Sequence, residues 1–543
     1  MVGRPREPLP VPRAPRPVPL RRMHRRPLVV TPGEPHRRLV VAGVMASMFL
    51  AAMESTVVAT AMPTVIASLG GIRIYSWTFS GFLLASTVTM PLWGRLADQY
   101  GRRRVYLVGL SLFLVGSALS GLSQTMAQLI AFRAIQGLGA GSLIIIGMTI
   151  IADLYGLERR AKMQGYFSGV WGVASLVGPV IGGVLTDAVS WRWVFYINLP
   201  FGLLAMAAIR WGLASERSER RASAFDYAGT AVFAAVISAL LVGLLEGGRG
   251  ASWWRPSVLA LLGLSAVLLV VFVLIERRAA EPVVPLALFA NPMVRAASVT
   301  GFLSGMAMFG AITFVPLFLQ AVTGTSATEA GIVLVPFVIG WVVFSVLAAR
   351  LVLRVGYRSI VFVGMLLLTA AFVLLAGWNE GLTRGIAMRD ISLAGVGMGL
   401  VFVPMLIAVQ NAVPRSMLGS ATSLTSFFRS IGGAVGVAVM GSVMAQRLHQ
   451  ELSGLLAAAP AELQDRLRET VAHPDLIVNP ITRVALGADV LAQMRPAMAH
   501  AVGGVFVVGL VVAVAALASA FLVPAGQAHE LAAAQEPATP SGD

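Results

Sequence analysis

Glu54 stands in LAAMESTVVATAMP, residues 50–63, as the one acid in a run of small and apolar side chains. Two arginines have similar surroundings, Arg133 in RAIQGLGAG and Arg429 in SFFRSIGGAVG. In hydrocarbon a charged side chain costs about 2.5–3.5 kcal/mol on insertion scales. A carboxylate escapes by taking up a proton, because burial disfavours its charged form, or by pairing with a cation. A group open to both escapes is a proton switch. Other chemistries find no residues. With Cys 0 there is no thiolate nucleophile, disulfide or cysteine metal site. His24, His36, His449, His473, His500 and His529 fall in the tails, in residues 446–499 or at the start of the last apolar run, so neither a zinc motif nor a buried histidine relay forms. Lys162 follows Ala161 rather than a glycine-rich loop, which excludes a Walker A sequence and an ATPase of the chain's own. No nucleophile and base pair appears, and the chain does not read as an enzyme.

These charges need elements that hold them inside a membrane. The chain is 57% hydrophobic and 12% charged over 543 residues, with a mean hydropathy of +0.80, which is not the balance of a soluble domain. Its apolar residues come in runs such as VGGVFVVGLVVAVAALASAFLV, 502–523, and a helix needs about 20 of them to cross a core ~30 Å thick. Spans are expected at 39–61, 76–95, 105–124, 128–152, 163–186, 193–213, 227–246, 256–275, 297–319, 328–349, 359–377, 390–411, 418–445 and 500–523. The expected fold class is an all-α polytopic membrane protein with 14 transmembrane helices. Backbone polar groups cannot be left open in lipid, and the ten-residue alternation of a barrel is missing.

An even number of spans puts both termini on one side. Most of the 41 lysines and arginines fall there, among them those before Leu39, Arg102 to Arg104, Arg159, Arg160, Lys162, Arg350, Arg354 and Arg358. The positive-inside rule then predicts cytoplasmic N- and C-termini in the cell membrane. The formal charge of +16 is dispersed over these short segments, so it is a topology signal and nucleic acid is not an expected partner. Residues 1–38 are Pro- and Arg-rich and read as extended chain, with Met23 as an alternative start. The first apolar run is long enough to span and lacks a small-residue cleavage site, so it does not read as a cleaved signal. Within 446–499, AELQDRLRETV sets Leu463, Leu467 and Val471 on one face of an amphipathic helix.

GRLADQYGRRR, Gly94 to Arg104, joins the second and third spans. Gly94 and Asp98 are i, i+4 at a helix end, Gly101 suits a tight turn, and Arg102 and Arg103 stay at the surface. The pattern resembles the signature loop of the major facilitator superfamily. RAIQGLGAG resembles that family's buried-arginine motif, with Arg133, Gly137 and Gly141 on one face so that a neighbouring helix can come close. GVWGVASLVGPVIGG resembles the motif of its antiporters through Gly169, Gly178, Pro179, Gly182 and Gly183; Pro179 bends the helix, and Gly178 and Gly182 form a small face. MESTVVATAMP, WRWVFYINLPFG (Trp191 to Gly202), FVPLFLQAVTGTSATEAGIVLVP (Phe314 to Pro336) and SFFRSIGGAVG (Ser426 to Gly436) are similar to the fourteen-helix drug/proton antiporter branch. RLVLRVGYR, Arg350 to Arg358, is a degenerate copy of the signature loop without its aspartate.

The resemblance runs from about residue 39 to 445 and, through the span count, to 523. It implies two six-helix bundles, at 39–213 and 296–523, with two inserted helices in 214–295 and tails at 1–38 and 524–543. Such halves rock about a midplane cavity. The resemblance also implies proton coupling by Glu54 and Arg133, and a cytoplasmic gate of Gly94, Asp98, Gly101, Arg102, Arg103 and Asp153. Gln320, Gln410, Asn411 and Arg429 are candidate polar residues of the cavity. The three amides suit helix ties equally well, and Arg429 suits snorkelling to the cytoplasmic surface. For Glu54 the structural alternative is a pair with Arg133 that only holds helices together. The implied function is proton-coupled export of amphipathic, cationic drugs by a monomer, with a small molecule, protons and the bilayer as partners and no cofactor beyond the proton gradient. Two alternatives stay open: dedicated export of a self-made antibiotic, lipid or siderophore, and a non-transporting sensor or scaffold on the same fold.

Overall fold

The computed structural model describes residues 34–154, 157–213, 226–248, 254–279, 282, 284, 286–413, 417–458, 464 and 488–525. Residues 1–33 of the basic tail, the segment 214–225, the amphipathic pattern at 461–471 and the residues from 526 on lie outside the described residues, apart from residue 464, while 34–38 of the expected tail are the start of a helix. Among the described residues regular structure is helical, with no strand. The apolar runs become α1 (Glu34–Leu69), α2 (Trp77–Tyr100), α3 (Arg102–Leu122), α4 (Met126–Leu154), α5 (Leu157–Ala188), α6 (Trp193–Tyr196), α7 (Asn198–Gly212), α8 (Tyr227–Gly248) and α9 (Pro256–Glu276). They continue as α10 (Pro292–Phe318), α11 (Ala327–Val355), α12 (Tyr357–Ala376), α13 (Arg384–Asn411), α14 (Leu418–Ala458) and α15 (Ala488–Ser519). Helices α6 and α7 share the sixth expected span, and Ile197 between them keeps helical dihedrals. The face where α1 begins is called inner below, and the opposite face outer, after the orientation expected from the charges.

Each expected span is met by helix, and many helices outrun their apolar run: α1 has 36 residues and α14 has 41. Among the described residues, twelve helical stretches are long and apolar enough to cross a membrane. Of the remaining two positions, α8 contributes the shorter apolar stretch Ala228–Leu244. Helix α2 has 24 residues but dilutes its apolar content with Thr78, Ser80, Ser86, Thr87 and Thr89. These hydroxyls are satisfied within the protein: Thr78 Oγ1 donates to Tyr75 O at 2.7 Å, Thr87 Oγ1 to Leu83 O at 2.7 Å, and Ser80 Oγ reaches α14 at Ala434 O, 3.1 Å. A helix enclosed by other helices can carry such residues where a lipid-facing one cannot.

In the first half α1 packs on α4, α5 and α7, and α4 on α2 and α3. In the second, α10 packs on α14 and α15, α11 on α13, and α12 on α13 and α15. The turn from α2 to α3 passes through Gly101 at φ 88°, and the turn from α11 to α12 through Gly356 at φ 81°. A side chain bearing Cβ rarely adopts this backbone, so both turns need glycine. Gly101 lies in the signature loop and Gly356 in its degenerate copy, so the two halves repeat the turn even where the second lacks the aspartate.

Helices α8 and α9 pair with each other through Phe233 and Phe272, 5.1 Å between ring centres, and through Ser265 Oγ donating to Val236 O at 2.9 Å. Phe233 also meets Phe427 of α14 at 5.3 Å. The far side of α9 exposes Leu259, Leu264, Val267, Val270 and Leu274, the composition lipid contact requires. The halves meet through α5 with α11, α2 with α14, and α1 with α10.

Candidate functional site

Glu54 lies well inside α1, where α2, α3, α4, α6 and α7 converge. Its side chain is 0% exposed and that of Arg133 1%. Arg133 Nη1 donates to Glu54 Oε1 in an ion pair and to Gln136 Oε1 at 2.8 Å. Its Nε donates to Thr78 O at 3.3 Å, and the guanidinium lies 4.1 Å from the centre of the Phe82 ring. The second carboxylate oxygen, Oε2, accepts from Asn198 Nδ2 at 2.7 Å. Asn198 Nδ2 also donates to Ser117 Oγ at 2.9 Å, and Gln136 Nε2 to the same oxygen at 3.2 Å. Ser117 Oγ donates its own O–H to Phe195 O, 2.8 Å. Two opposite charges thus cancel, and neutral donors fill the remaining carboxylate positions, the condition under which a buried pair is tolerated. One atom is left over: Asn198 Oδ1 is buried and accepts nothing.

Glycines bring these helices close enough. A Cβ on Gly137 would sit 2.4 Å from Phe82 O, and one on Gly141 2.5 Å from Ser86 O, so the face carrying Arg133 lies directly on α2. Helix α5 has two such faces. Gly178 and Gly182 press on α1 at Thr56, Val57 and Thr60, just past Glu54, with would-be Cβ distances of 2.2 Å to Thr56 Oγ1 and 2.4 Å to Val57 O. Gly183 meets α11 at Thr328 Cα, 2.4 Å, and Gly331 of α11 meets Pro179 O, 2.2 Å. The antiporter-like motif therefore joins the helix of Glu54 to the opposite half. Arg133 also borders a void lined by Phe79, Phe82 and Leu83 of α2 and by Phe309 and Thr313 of α10, one wall from each half.

The other residues singled out in the sequence disperse. Gln320 Nε2 donates to Thr60 O at 3.0 Å, tying the second half to α1 beyond Glu54. Gln410 Nε2 donates to Thr422 Oγ1 at 3.2 Å, and Asn411 Nδ2 to Tyr357 Oη at 2.9 Å, both within the second half. Arg429 stacks on Phe402, 4.0 Å from the ring centre. Gly94 ends up on α2, and Arg102 and Arg103 open α3. The side chains of Asp98 and Asp153 lie outside the described residues, and so does the burial of Gly169. Residues the sequence did not single out complete the site: Asn198, Gln136, Ser117 and Thr78 around the ion pair, and Asp187 at its outer edge. Asp187, on α5, accepts from the backbone N–H of Thr328 at 2.8 Å and of Ala327 at 3.3 Å. It caps the first turn of α11 across the two halves. A signal for Asn198 existed in WRWVFYINLPFG, where an amide interrupts an apolar run.

Two helical halves that repeat one glycine turn and touch through α5 with α11, α2 with α14 and α1 with α10, with a satisfied charge pair buried in the first, fit the architecture of a secondary transporter. The family model of the Major Facilitator Superfamily matches residues 44–226 and 213–437. The chain belongs to the major facilitator superfamily, a family of transporters and not of enzymes. It is 35% identical over 507 residues to the multidrug transporter protein MdtP of Bacillus subtilis (strain 168), covering 90% of this chain and 93% of that one. It is 34% identical to multidrug resistance protein 3 of the same organism, over 87% and 92%. Among solved structures, a bacterial homologue of the human lysosomal transporter Spinster, inward-facing and occupied, matches with a TM-score of 0.60 at 17% identity, covering 90% and 97%. That likeness shows the fold alone.

Proposed function

We propose that the protein exports amphipathic, cationic drugs in exchange for protons, as a monomer in the cell membrane with both termini in the cytoplasm. The observation that carries this reading is the enclosed Glu54, with one oxygen on Arg133, the other on Asn198, and Arg133 bordering the void between the halves. The multidrug relatives support the cargo class, and the distribution of arginines supports the orientation.

The outer ends of α5 and α11 are in contact here, and Glu54 accepts from two donors as a carboxylate does. Parting the outer ends hydrates the void beside Arg133. Glu54 then takes a proton from outside and loosens its hold on Arg133. Asn198 serves both states of the carboxyl. As it stands Nδ2 donates to the carboxylate; turned over, its vacant Oδ1 accepts the O–H of the protonated acid. A primary amide carries both a donor and an acceptor, which a hydroxyl-free apolar residue cannot supply. When the outer ends close again and the inner face opens, Arg133 recovers the carboxylate and the proton leaves inward. A cationic cargo near Glu54 competes with the proton for the same charge, which makes the exchange obligatory.

The test is efflux of ethidium from cells holding the wild type or Glu54→Gln at matched membrane levels, each with and without an uncoupler. Uncoupler-sensitive efflux that the variant loses supports the reading. A variant that still pumps under the gradient removes Glu54 from the coupling.

A further inference from the structure

Arg429 is the charge the site above leaves unused. It lies on α14 eleven residues past Leu418, and Phe402 lies on α13 nine residues before Asn411. At ~1.5 Å per residue both are about 15 Å from the inner ends of their helices, half-way across a core of ~30 Å. The guanidinium stacks on the Phe402 ring at 4.0 Å, Phe402 meets Trp341 of α11 edge-on at 6.1 Å, and Trp341 meets Phe337 at 6.0 Å. The backbone behind it is fixed, since a Cβ on Gly305 of α10 would lie 2.2 Å from Arg429 O.

Arg133 and Arg429 are the two arginines deep in the membrane, and their surroundings differ. Arg133 has Glu54, Gln136 and Thr78 O as acceptors. Arg429 has no hydrogen-bond or ion-pair partner among the described residues, and its Nε is buried with no acceptor. Stacking on an aromatic face offsets part of a cation's desolvation, but it leaves the in-plane N–H groups unanswered. A guanidinium presents five donors in a rigid fork that fits a carboxylate or phosphate edge-on. Arg429, Phe402 and Trp341 are each half-buried rather than fully enclosed. Its depth and its ring partner hold it there instead of at the membrane surface.

We propose that Arg429, stacked on Phe402 beside Trp341, is a binding subsite for the oxyanionic group of an amphipathic aromatic molecule. The subsite lies in the second half, whereas Glu54 and Arg133 lie in the first, so proton and anion are handled by different halves. As a statement about cargo this rests on the export reading, and it adds to the cationic class molecules that also carry an anionic group. As a statement about a binding site it does not depend on export.

The experiment therefore measures binding, not transport. The full chain is purified into nanodiscs of phosphatidylcholine, and the affinities of 2-naphthaleneacetic acid and of its neutral amide are compared for the wild type, Arg429→Lys and Arg429→Gln. A charge-assisted bond to the fork predicts that the wild type binds the acid about tenfold or more tighter than the amide. Arg429→Gln loses that preference, and Arg429→Lys, with the charge but without the fork, retains part of it. Equal binding of acid and amide by the wild type overturns the proposal, as does a preference that survives in Arg429→Gln. Thermal unfolding of each variant shows that it is folded; removing an unmet charge should leave stability unchanged or raised. Competition by phosphatidylglycerol in the disc, or by inorganic phosphate in the buffer, supports the oxyanion site and assigns its resident occupant to a headgroup or to a free ion. If binding behaves as stated while ethidium efflux is absent, the subsite stands and the export reading falls.

Discussion

Gly331→Ala tests whether the glycines of α5 and α11 exist to let the outer ends close. A Cβ at residue 331 would lie 2.2 Å from Pro179 O and 2.8 Å from Pro179 C. Both obstacles are backbone, and ordinary contact begins about 1 Å further out, so the two helices must part by roughly that amount. Overpacking of this kind costs ~1–3 kcal/mol. The cost falls only on the outer-closed arrangement, because the contact is absent once the halves separate, so the balance shifts toward the open one by about 5–150-fold. The chain has Cys 0, which makes labelling direct. Spin labels at Val189→Cys, after α5, and Glu380→Cys, in the outer turn between α12 and α13, are both on exposed residues. Their distance distribution should gain a longer component in Gly331→Ala, and ethidium export should fall. Gly263→Ala on α9 is the control, because nothing lies within 4 Å of its added Cβ. An unchanged distribution in Gly331→Ala, or an equal change in the control, refutes the reasoning.

Other substitutions probe the pair and its surroundings. Glu54→Gln should lower the thermal stability of the purified protein, because removing one partner of a buried pair costs ~3–5 kcal/mol. Adding Arg133→Met should restore much of that loss, and equal melting of single and double variants would contradict the pairing. Asn198→Leu, which keeps volume but neither donor nor acceptor, should cut uncoupler-sensitive export about tenfold while Asn198→Gln keeps a measurable share; matching rates for Asn198→Leu and the wild type would remove Asn198 from the mechanism. Asp187→Asn takes the charge from the first turn of α11 and should shift the same spin-label distances in the direction of Gly331→Ala but less, since an exposed helix-end charge contributes only ~0.3–1 kcal/mol. A shift toward the shorter distance would show that Asp187 does not hold the halves together.

The sequence by itself determined the membrane helices, because the number of apolar residues needed to cross hydrocarbon is set by a fixed thickness and a fixed rise per residue. It also singled out Glu54 and Arg133, since a charge in such a run is expensive enough to need a reason, and it located the glycines of α4 and α5 through their spacing. It marked Gly101 as a turn residue and 350–358 as a degenerate copy of that loop, and Gly101 and Gly356 both adopt a backbone that favours glycine. What it could not determine was partnership. Glu54 and Arg133 are 79 residues apart, and Asn198 is 144 from Glu54; whether they meet depends on how each helix is rotated and how it crosses its neighbours. Neutral polar residues such as Ser117, Gln136 and Gln320 are still less legible, because each can satisfy itself on its own helix or on another without any change in composition. The same packing separated the two arginines that looked alike in the sequence. Close approach on α2 brought Arg133 to a carboxylate, while the seam of α13 and α14 brought Arg429 only to an aromatic ring. It also turned Asp187, one surface acid among several in the sequence, into a cap on a helix of the opposite half. Length and hydropathy are sums over neighbours along the chain, whereas a partner is decided by every helix packed around it, and only the tertiary structure contains that.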